Sequence, residues 1–381
     1  MAAEPVSVNQ DRLVQTFLEL ARKNTPPRQE REASEIAHWT LMELGFQCEF
    51  DDAGEKVGGN VGNLIAFKKG TIPDAPPIFF SSHFDTVEPT PGLEPIIDGD
   101  IIKSDGKTIV GADDKCGVAP ILEAMRILDE QAIPHGDIQL LLTICEEIGL
   151  VGAKNMDPRR IKAKYGYVLD SGPPIGSFVY SAPTQDIFEV WIHGKPSHAG
   201  ALPEDGISAI QVAARAIARM KLGRIGPDTT ANVGIITGGN ATNIIPAECY
   251  LKCEARSRSQ EKLDKQRDHM IACFEEEAAA LGATVDIRNE NAYQTYELGM
   301  EDSVLKIGLE ACDRIGLESL LRVTGGGADA NIFNAMGFPT TVLGCGMVNI
   351  HRHDEYVRIS DMVKSTQLVV SIVQTAADWR E

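Results

Sequence analysis

The paired acids Glu146 and Glu147 close the stretch IQLLLTICEEIG, where every residue from Ile138 to Cys145 except Gln139 is apolar or hydroxyl-bearing. Three other apolar segments run out in a similar way. PIFFSSHFD closes on His83 and Asp85, YGYVLDSG on Asp170, and PTTVLGCGMVNIH reaches His351 after a loop. A further stretch, GADDKCGVAP, sets Asp113 and Asp114 directly ahead of a helical pattern. Carboxylates and imidazoles form the mixed oxygen and nitrogen donor set that suits zinc, cobalt or manganese. Each alone is ordinary, since Asp is favoured at helix N-caps and a strand-end histidine is commonly structural. The spacing adds to the case. H-x-D allows Asp85 to accept the second ring N–H of His83 and fix its tautomer. Along an extended backbone Glu146 and Glu147 point to opposite faces, so one can bind an ion while the other reaches a water. His353 competes with His351, and spacing does not choose between them. Two histidines with three carboxylates, and an acid to spare, exceed the needs of one tetrahedral zinc. They suffice for two ions if one carboxylate bridges, and such a pair clamps and activates a water.

The elements that must position these residues are legible in the hydrophobic pattern. Continuous apolar runs read as strands buried on both faces, as in a mostly parallel sheet. Helical periodicity lies between them at Cys116–Glu130 and Glu301–Gly316, and earlier in DRLVQTFLELARKN and EREASEIAHWTLMELG. Strands alternating with helices predict an open α/β sheet with its site outside the carboxyl ends of the strands. From 182 to 293 the order changes to strand, helix, two strands, helix, strand: QDIFEVWIHG, GISAIQVAARAIARMK, TTANVGIITGG, ECYLKCEARS, EKLDKQRDHMIACFEEEAAALG and ATVDIRN. The expectation is therefore a mixed, mostly parallel α/β catalytic domain formed by 1–181 and 294–381. An α+β domain (βαββαβ) is inserted at 182–293.

Composition bounds the partners. The 381 residues are enough for more than one core, and a net charge of −19 offers no basic stripe for nucleic acid. No apolar run approaches the ~18 residues of a membrane span. The start, MAAEPVSVNQ, has neither a basic n-region nor an apolar h-region, so a cytoplasmic protein is expected. The eight cysteines include no C-x-x-C pair and read as reduced thiols. Cys249 and Cys253, four apart in ECYLKCEAR, fall on one face of a strand.

Eight stretches, SSHFDTV, GADDKCG, CEEIGLVGAK, YVLDSG, GKPSHAGALPEDGISAI, GGNATNIIP, TGGGADANIF and IHRHDEYV, occur in an order that resembles a known family. It is the family of dinuclear-zinc exopeptidases and amidohydrolases, and EEIGLVGAK and GADDK are most similar to its peptidase T-like branch. The resemblance spans nearly the whole chain. It implies that His83 and Asp170 hold one metal, Glu147 and His351 the other, and that Asp113 bridges them. A cis peptide is implied directly after Asp113. Asp85 resembles the residue that orients the histidine, and Glu146 the general base. The pattern H-x-x-x-E-Y selects His351 over His353. His198 resembles a histidine that reaches the active site of the partner subunit in family dimers. Asn243 and Arg256 match positions that bind substrate across such a dimer. Gly326, Gly327 and Asp329 match a Gly-rich substrate loop, where absent Cβ atoms permit close backbone approach. Two departures stand out: Cys145 where many members have Asp, and Cys116 where small residues are usual.

The implied activity is two-metal hydrolysis of the N-terminal bond of short peptides, tripeptides foremost, with zinc, cobalt or manganese as the ions and a homodimer as the assembly. An N-acyl-amino-acid amidohydrolase would share every ligand. A non-catalytic binding protein on this fold would be expected to have lost the base or a ligand, and none is lost.

Overall fold

A computed structural model describes residues 4–380; the first residues of the stretch read for a secretory signal lie outside these. The chain forms two compact units. One comprises the chain up to Tyr180, Glu297–Val323, and Ala328 onward; the other comprises Ser181–Tyr296 with Thr324–Gly327.

The larger unit is built on a mixed sheet whose centre is parallel. Its middle strands lie in the spatial order Ile138–Thr143, Ile78–His83, Tyr165–Ser171, Thr340–Gly344, every neighbouring pair parallel. Gln47–Phe50 and Leu64–Lys68 extend one side antiparallel, and Ser177–Ala182 extends the other. Ile78–His83 and Ile138–Thr143 are buried at every position, which is why neither shows the polar alternation of a half-exposed strand. The helices Gln10–Ala21, Ala112–Glu130, Ser303–Ile315 and Ile359–Asp378 supply the covering layers, each with a buried apolar face. In chain order the parallel strands run second, first, third, fourth across the sheet. The order thus reverses at Ile78–His83, and the crevice at such a switch point is where α/β sheets bind ligands. His83 is the last residue of that strand and pairs in register with Thr143.

The smaller unit is an antiparallel sheet in the order Gly223–Arg224, Thr229–Gly238, Glu248–Ser257, Thr184–His193, Thr284–Tyr293. Helices Ala209–Arg219 and Gln260–Leu281 contribute to the same core through Val212, Ala216, Leu263, Met270 and Phe274, packed with Phe188, Val190, Ile192 and Leu251. From Asp186 to His193 the strand Thr184–His193 alternates buried and half-exposed residues, as a sheet with one covered face requires. Cys249 and Cys253 both enter this core, as their spacing predicts, and all eight cysteines are free thiols. Among the described residues no helix is long and apolar enough to cross a membrane.

Candidate active site

The expected ligands come from the carboxyl ends of the central strands and the loops beyond them, and they converge. His83 Nε2 stands 3.1 Å from Asp113 Oδ1 and 4.0 Å from Asp170 Oδ1. On the other side of the same carboxylate, His351 Nε2 stands 3.3 Å from Asp113 Oδ2 and 3.1 Å from Glu147. His83, Asp113 and Asp170 thus form one group able to hold a cation, and Asp113, Glu147 and His351 form a second. Asp113 belongs to both and turns one oxygen to each. His353 lies apart from them, paired with Glu88 at 3.0 Å.

The donor geometry suits metal ions. A tetrahedral ion with bonds of ~2.0–2.1 Å to nitrogen and oxygen separates neighbouring ligand atoms by ~3.3–3.4 Å. Three of the four separations fall within a few tenths of that. The electrostatics agree. Hydrogen bonds to Asp113 and Glu147 push His351 up to about 10. Burial opposes protonation of His83, but Asp113 and Asp85 raise it well above its ordinary value. Burial likewise opposes ionisation of Asp113, yet His351 and His83 hold it below the usual carboxylate range. Around this centre burial raises Glu146, Glu147 and Asp170, with neighbouring acids adding to the effect. Acids crowded out of water at two points call for positive charge at both.

Backbone geometry fixes the donors. The Asp113–Asp114 peptide is cis, as the resemblance implies. Neither aspartate has helical backbone angles, so the pair sits at a kink just ahead of the regular part of the helix Ala112–Glu130. Glu355, which the sequence reading uses only as a marker for His351, is fully buried and receives this turn. Its Oε2 accepts from Val110 N at 2.9 Å and Gly111 N at 2.7 Å, and its Oε1 from Asp113 N at 3.1 Å. Burial pushes Glu355 up to about 7 despite these donors. Its fixed offset from His351 was the available signal. Lys115 is buried with Nζ on Thr25 Oγ1 at 3.0 Å, and burial pushes it down to about 8.

Glu146 and Glu147 are not on an extended strand. The strand ends at Thr143, and Cys145 has a left-handed φ of 53°, so alternation along a β backbone does not separate the two acids. They are held by Asp85 instead. Asp85 Oδ1 accepts from Glu146 N at 2.9 Å and Oδ2 from Glu147 N at 3.1 Å. Toward His83 Nδ1, the backbone carbonyl of Asp85 is nearer, at 3.1 Å, than its carboxylate, at 3.4 Å. Glu30, unmarked in the sequence, supports the turn from behind. Its Oε1 accepts from Cys145 N at 3.1 Å and Cys145 Sγ at 3.3 Å.

Asp329 also lies in the larger unit. It is buried, its Oδ2 accepts the Thr143 hydroxyl, and burial pushes it up to about 6. The remaining expected residues lie in the smaller unit. His198 is exposed, and its Nδ1 accepts from Gly200 N at 3.2 Å and Ala201 N at 3.1 Å. Its proton is therefore on Nε2. Ala199 N donates to Asn243 O at 2.9 Å, which keeps the two loops together. Arg256 is half-buried and donates to Glu254 at 2.9 Å. A Cβ on Gly327 would meet the Tyr293 ring at 2.3 Å, so close packing requires glycine there, whereas Gly326 has room for one.

The chain is similar to known peptidases. A model described as "Peptidase family M28" matches residues 63–173, and one described as "Peptidase dimerisation domain" matches 187–281. The chain is 41% identical to the uncharacterized protein YqjE of Bacillus subtilis, over 97% of this chain and all of the relative. The crystal structure of aminopeptidase PepT from Bacillus cereus superposes with a TM-score of 0.88 at 41% identity, covering 97% of this chain and 99% of the other. That of a tripeptidase from Staphylococcus aureus gives 0.93 at 37%, covering 98% and 100%. The fold and the donor set define a dinuclear-metal peptidase, and the chain belongs to that family. Within it the chain falls on the peptidase T-like branch, as a metallo-aminopeptidase.

Proposed function

We propose that this chain hydrolyses the N-terminal peptide bond of short peptides, tripeptides foremost, using two divalent cations, with zinc as the native ion and cobalt or manganese able to replace it. The observation that carries the proposal is the division of Asp113 between two donor groups, one oxygen toward His83 and one toward His351. His83 and Asp170 would hold one ion, Glu147 and His351 the other, with Asp113 common to both. When bound, the ion pair supplies Lewis acidity, lowering the pKa of the attacking water and polarising the scissile carbonyl.

The chain's own residues do the rest. Glu146 takes the water's proton and returns it to the leaving nitrogen. Burial raises Glu146, which suits a group that must carry a proton between those steps. The Asp85 clamp keeps the backbone of the base and of the adjacent ligand in one fixed relation. The oxyanion needs a donor, and His198 of the partner subunit would supply its Nε2–H. A dimer is supported by the smaller unit's edge. Strand Thr229–Gly238 is paired on one side only beyond Ala231, and there it exposes Ile235 and Ile236. An open apolar strand edge of this kind favours pairing with a second copy.

The test is amino acid release from trialanine by dialysed protein, with and without added zinc, cobalt or manganese. Metal-restored cleavage at the N-terminal bond is expected. Activity confined to N-acyl-amino acids would overturn the peptidase reading. A monomer by sedimentation at micromolar concentration would overturn the role of His198 in trans.

A further inference from the structure

Cys116, one of the two departures from the family pattern, has a partner. Cys116 lies in the helix Ala112–Glu130, and Cys345 follows the strand Thr340–Gly344. Both are fully buried, with their Sγ atoms 3.4 Å apart. Cys345 Sγ is 3.6 Å from Asp114 Oδ1 and 3.4 Å from the Ser171 carbonyl oxygen. Asp114 takes no part in the two donor groups of the active site. Its Oδ2 is occupied by the Ser82 hydroxyl at 2.5 Å, which leaves Oδ1 toward the thiols. The donor atoms of Asp114, Cys116 and Cys345 all lie within 4.8 Å of one another.

Two chemistries compete for a buried dithiol, and the distances separate them. A disulfide requires sulfurs at ~2.05 Å, a closure of ~1.4 Å between a helix and a strand end. A tetrahedral ion with bonds of ~2.3 Å to sulfur and ~2.0 Å to oxygen sets two sulfurs ~3.8 Å apart and a sulfur and an oxygen ~3.5 Å apart. The three separations measured from Cys345 Sγ, 3.4 Å to Cys116 Sγ, 3.6 Å to Asp114 Oδ1 and 3.4 Å to the Ser171 carbonyl oxygen, are each within a few tenths of an ångström of those values, and the Asp114 and Cys116 donors lie within 4.8 Å of each other. We propose that Asp114, Cys116 and Cys345, closed by the Ser171 carbonyl, form a third cation site for a borderline or soft ion such as zinc or cobalt. Thiolate donors favour such ions over magnesium or calcium. With every donor supplied by protein and the thiols buried, the site has the closed character of a structural one. It would tie the start of the helix that presents Asp113 to the end of a central strand. It does not depend on the hydrolytic reading above.

Cobalt distinguishes this site from the active site by spectrum. A thiolate on cobalt gives intense near-ultraviolet charge transfer that carboxylate and imidazole donors do not. The experiment is cobalt titration of chelator-stripped, thiol-reduced full-length protein, with bound metal counted. The near-ultraviolet band is expected in the wild type. In Cys116→Ala and in Cys345→Ala the band should vanish and binding should fall by one equivalent, while the visible bands of the histidine and carboxylate sites persist. Cys116→Ala introduces the small residue usual at that position, so it decides alone if Cys345→Ala does not fold. A reduced wild type without the band at saturating cobalt, or a band that survives Cys116→Ala, would overturn the proposal. Both readouts are independent of turnover, so loss of peptidase activity leaves the outcome readable.

Discussion

Replacing Asp85 with asparagine tests how the paired glutamates are held. The carboxylate serves both backbone N–H groups, Glu146 at 2.9 Å and Glu147 at 3.1 Å, in a fully buried position. Asparagine has one acceptor oxygen, so its amide must face one of those N–H groups, donor against donor. A hydrogen bond to a charged acceptor is worth about 1.5–3 kcal/mol, and a buried donor left unpaired costs about 1–3 kcal/mol. Some of that loss is relieved by movement of the turn. The remainder should reach the site as a fall of about 10–100-fold in activity or metal affinity, the range typical of groups that orient metal ligands. The loss should be uneven. His83 Nδ1 keeps its 3.1 Å contact with the Asp85 backbone carbonyl, which the substitution leaves in place. The ion on His83 and Asp170 should therefore be retained, and the ion on Glu147 and His351 should weaken. Chelator competition resolved into two steps, alongside kcat for trialanine, measures both. Equal weakening of the two ions would refute the division of labour. Metal affinities and kcat within twofold of wild type would refute the clamp itself.

Three further outcomes follow from the same geometry. Glu146→Gln should bind both metals normally yet lose about 10²–10⁴-fold in kcat, the usual contribution of a general base; unchanged turnover would remove it from that role. Glu355→Gln keeps an acceptor for two of the three N–H groups now bound and opposes the third, so metal affinity should fall about 10-fold or more, as read by zinc retention on dialysis, and full retention would count against it. Arg12→Leu should cost about 3–5 kcal/mol of stability in the larger unit, because Arg12 holds the fully buried Glu123 with two bonds of 2.8 Å and Arg126 reaches it only at 3.5 Å; a denaturant midpoint unchanged from wild type would contradict this.

What could be read in the sequence was set by how local each signal is. The central strands were legible because burial on both faces leaves mostly apolar runs without polar alternation, and because His83 and Asp170 stand at the ends of such runs. The smaller unit was legible because its strands alternate and its two helices carry apolar stripes. The strands Ile96–Asp98, Ile101–Lys103, Met347–Val348 and Tyr356–Arg358 form a sheet that sequence could not reveal. Two or three residues carry no periodicity, and Tyr356 meets Lys103 across more than two hundred positions. The left-handed turn at Cys145 was missed for a different reason. Cysteine carries no preference for positive φ, so nothing in the local sequence announced the turn. What holds it is distant: Glu30 from one side and Asp85 from the other. The same is true of Glu355 behind Asp113 and of Cys345 beside Cys116. The candidate ligands could be read because each shows its own residue type, His83 and Asp170 at the ends of strands and Asp113, Glu147 and His351 in the turns and loops around them. The groups that aim them could not, because a carboxylate binding a backbone N–H is specified by where the chain passes and leaves no mark on the residue it holds. That is why the sequence offered the two glutamates as candidates for different roles on the wrong ground, alternation along a strand, when the actual ground is one aspartate with an oxygen for each.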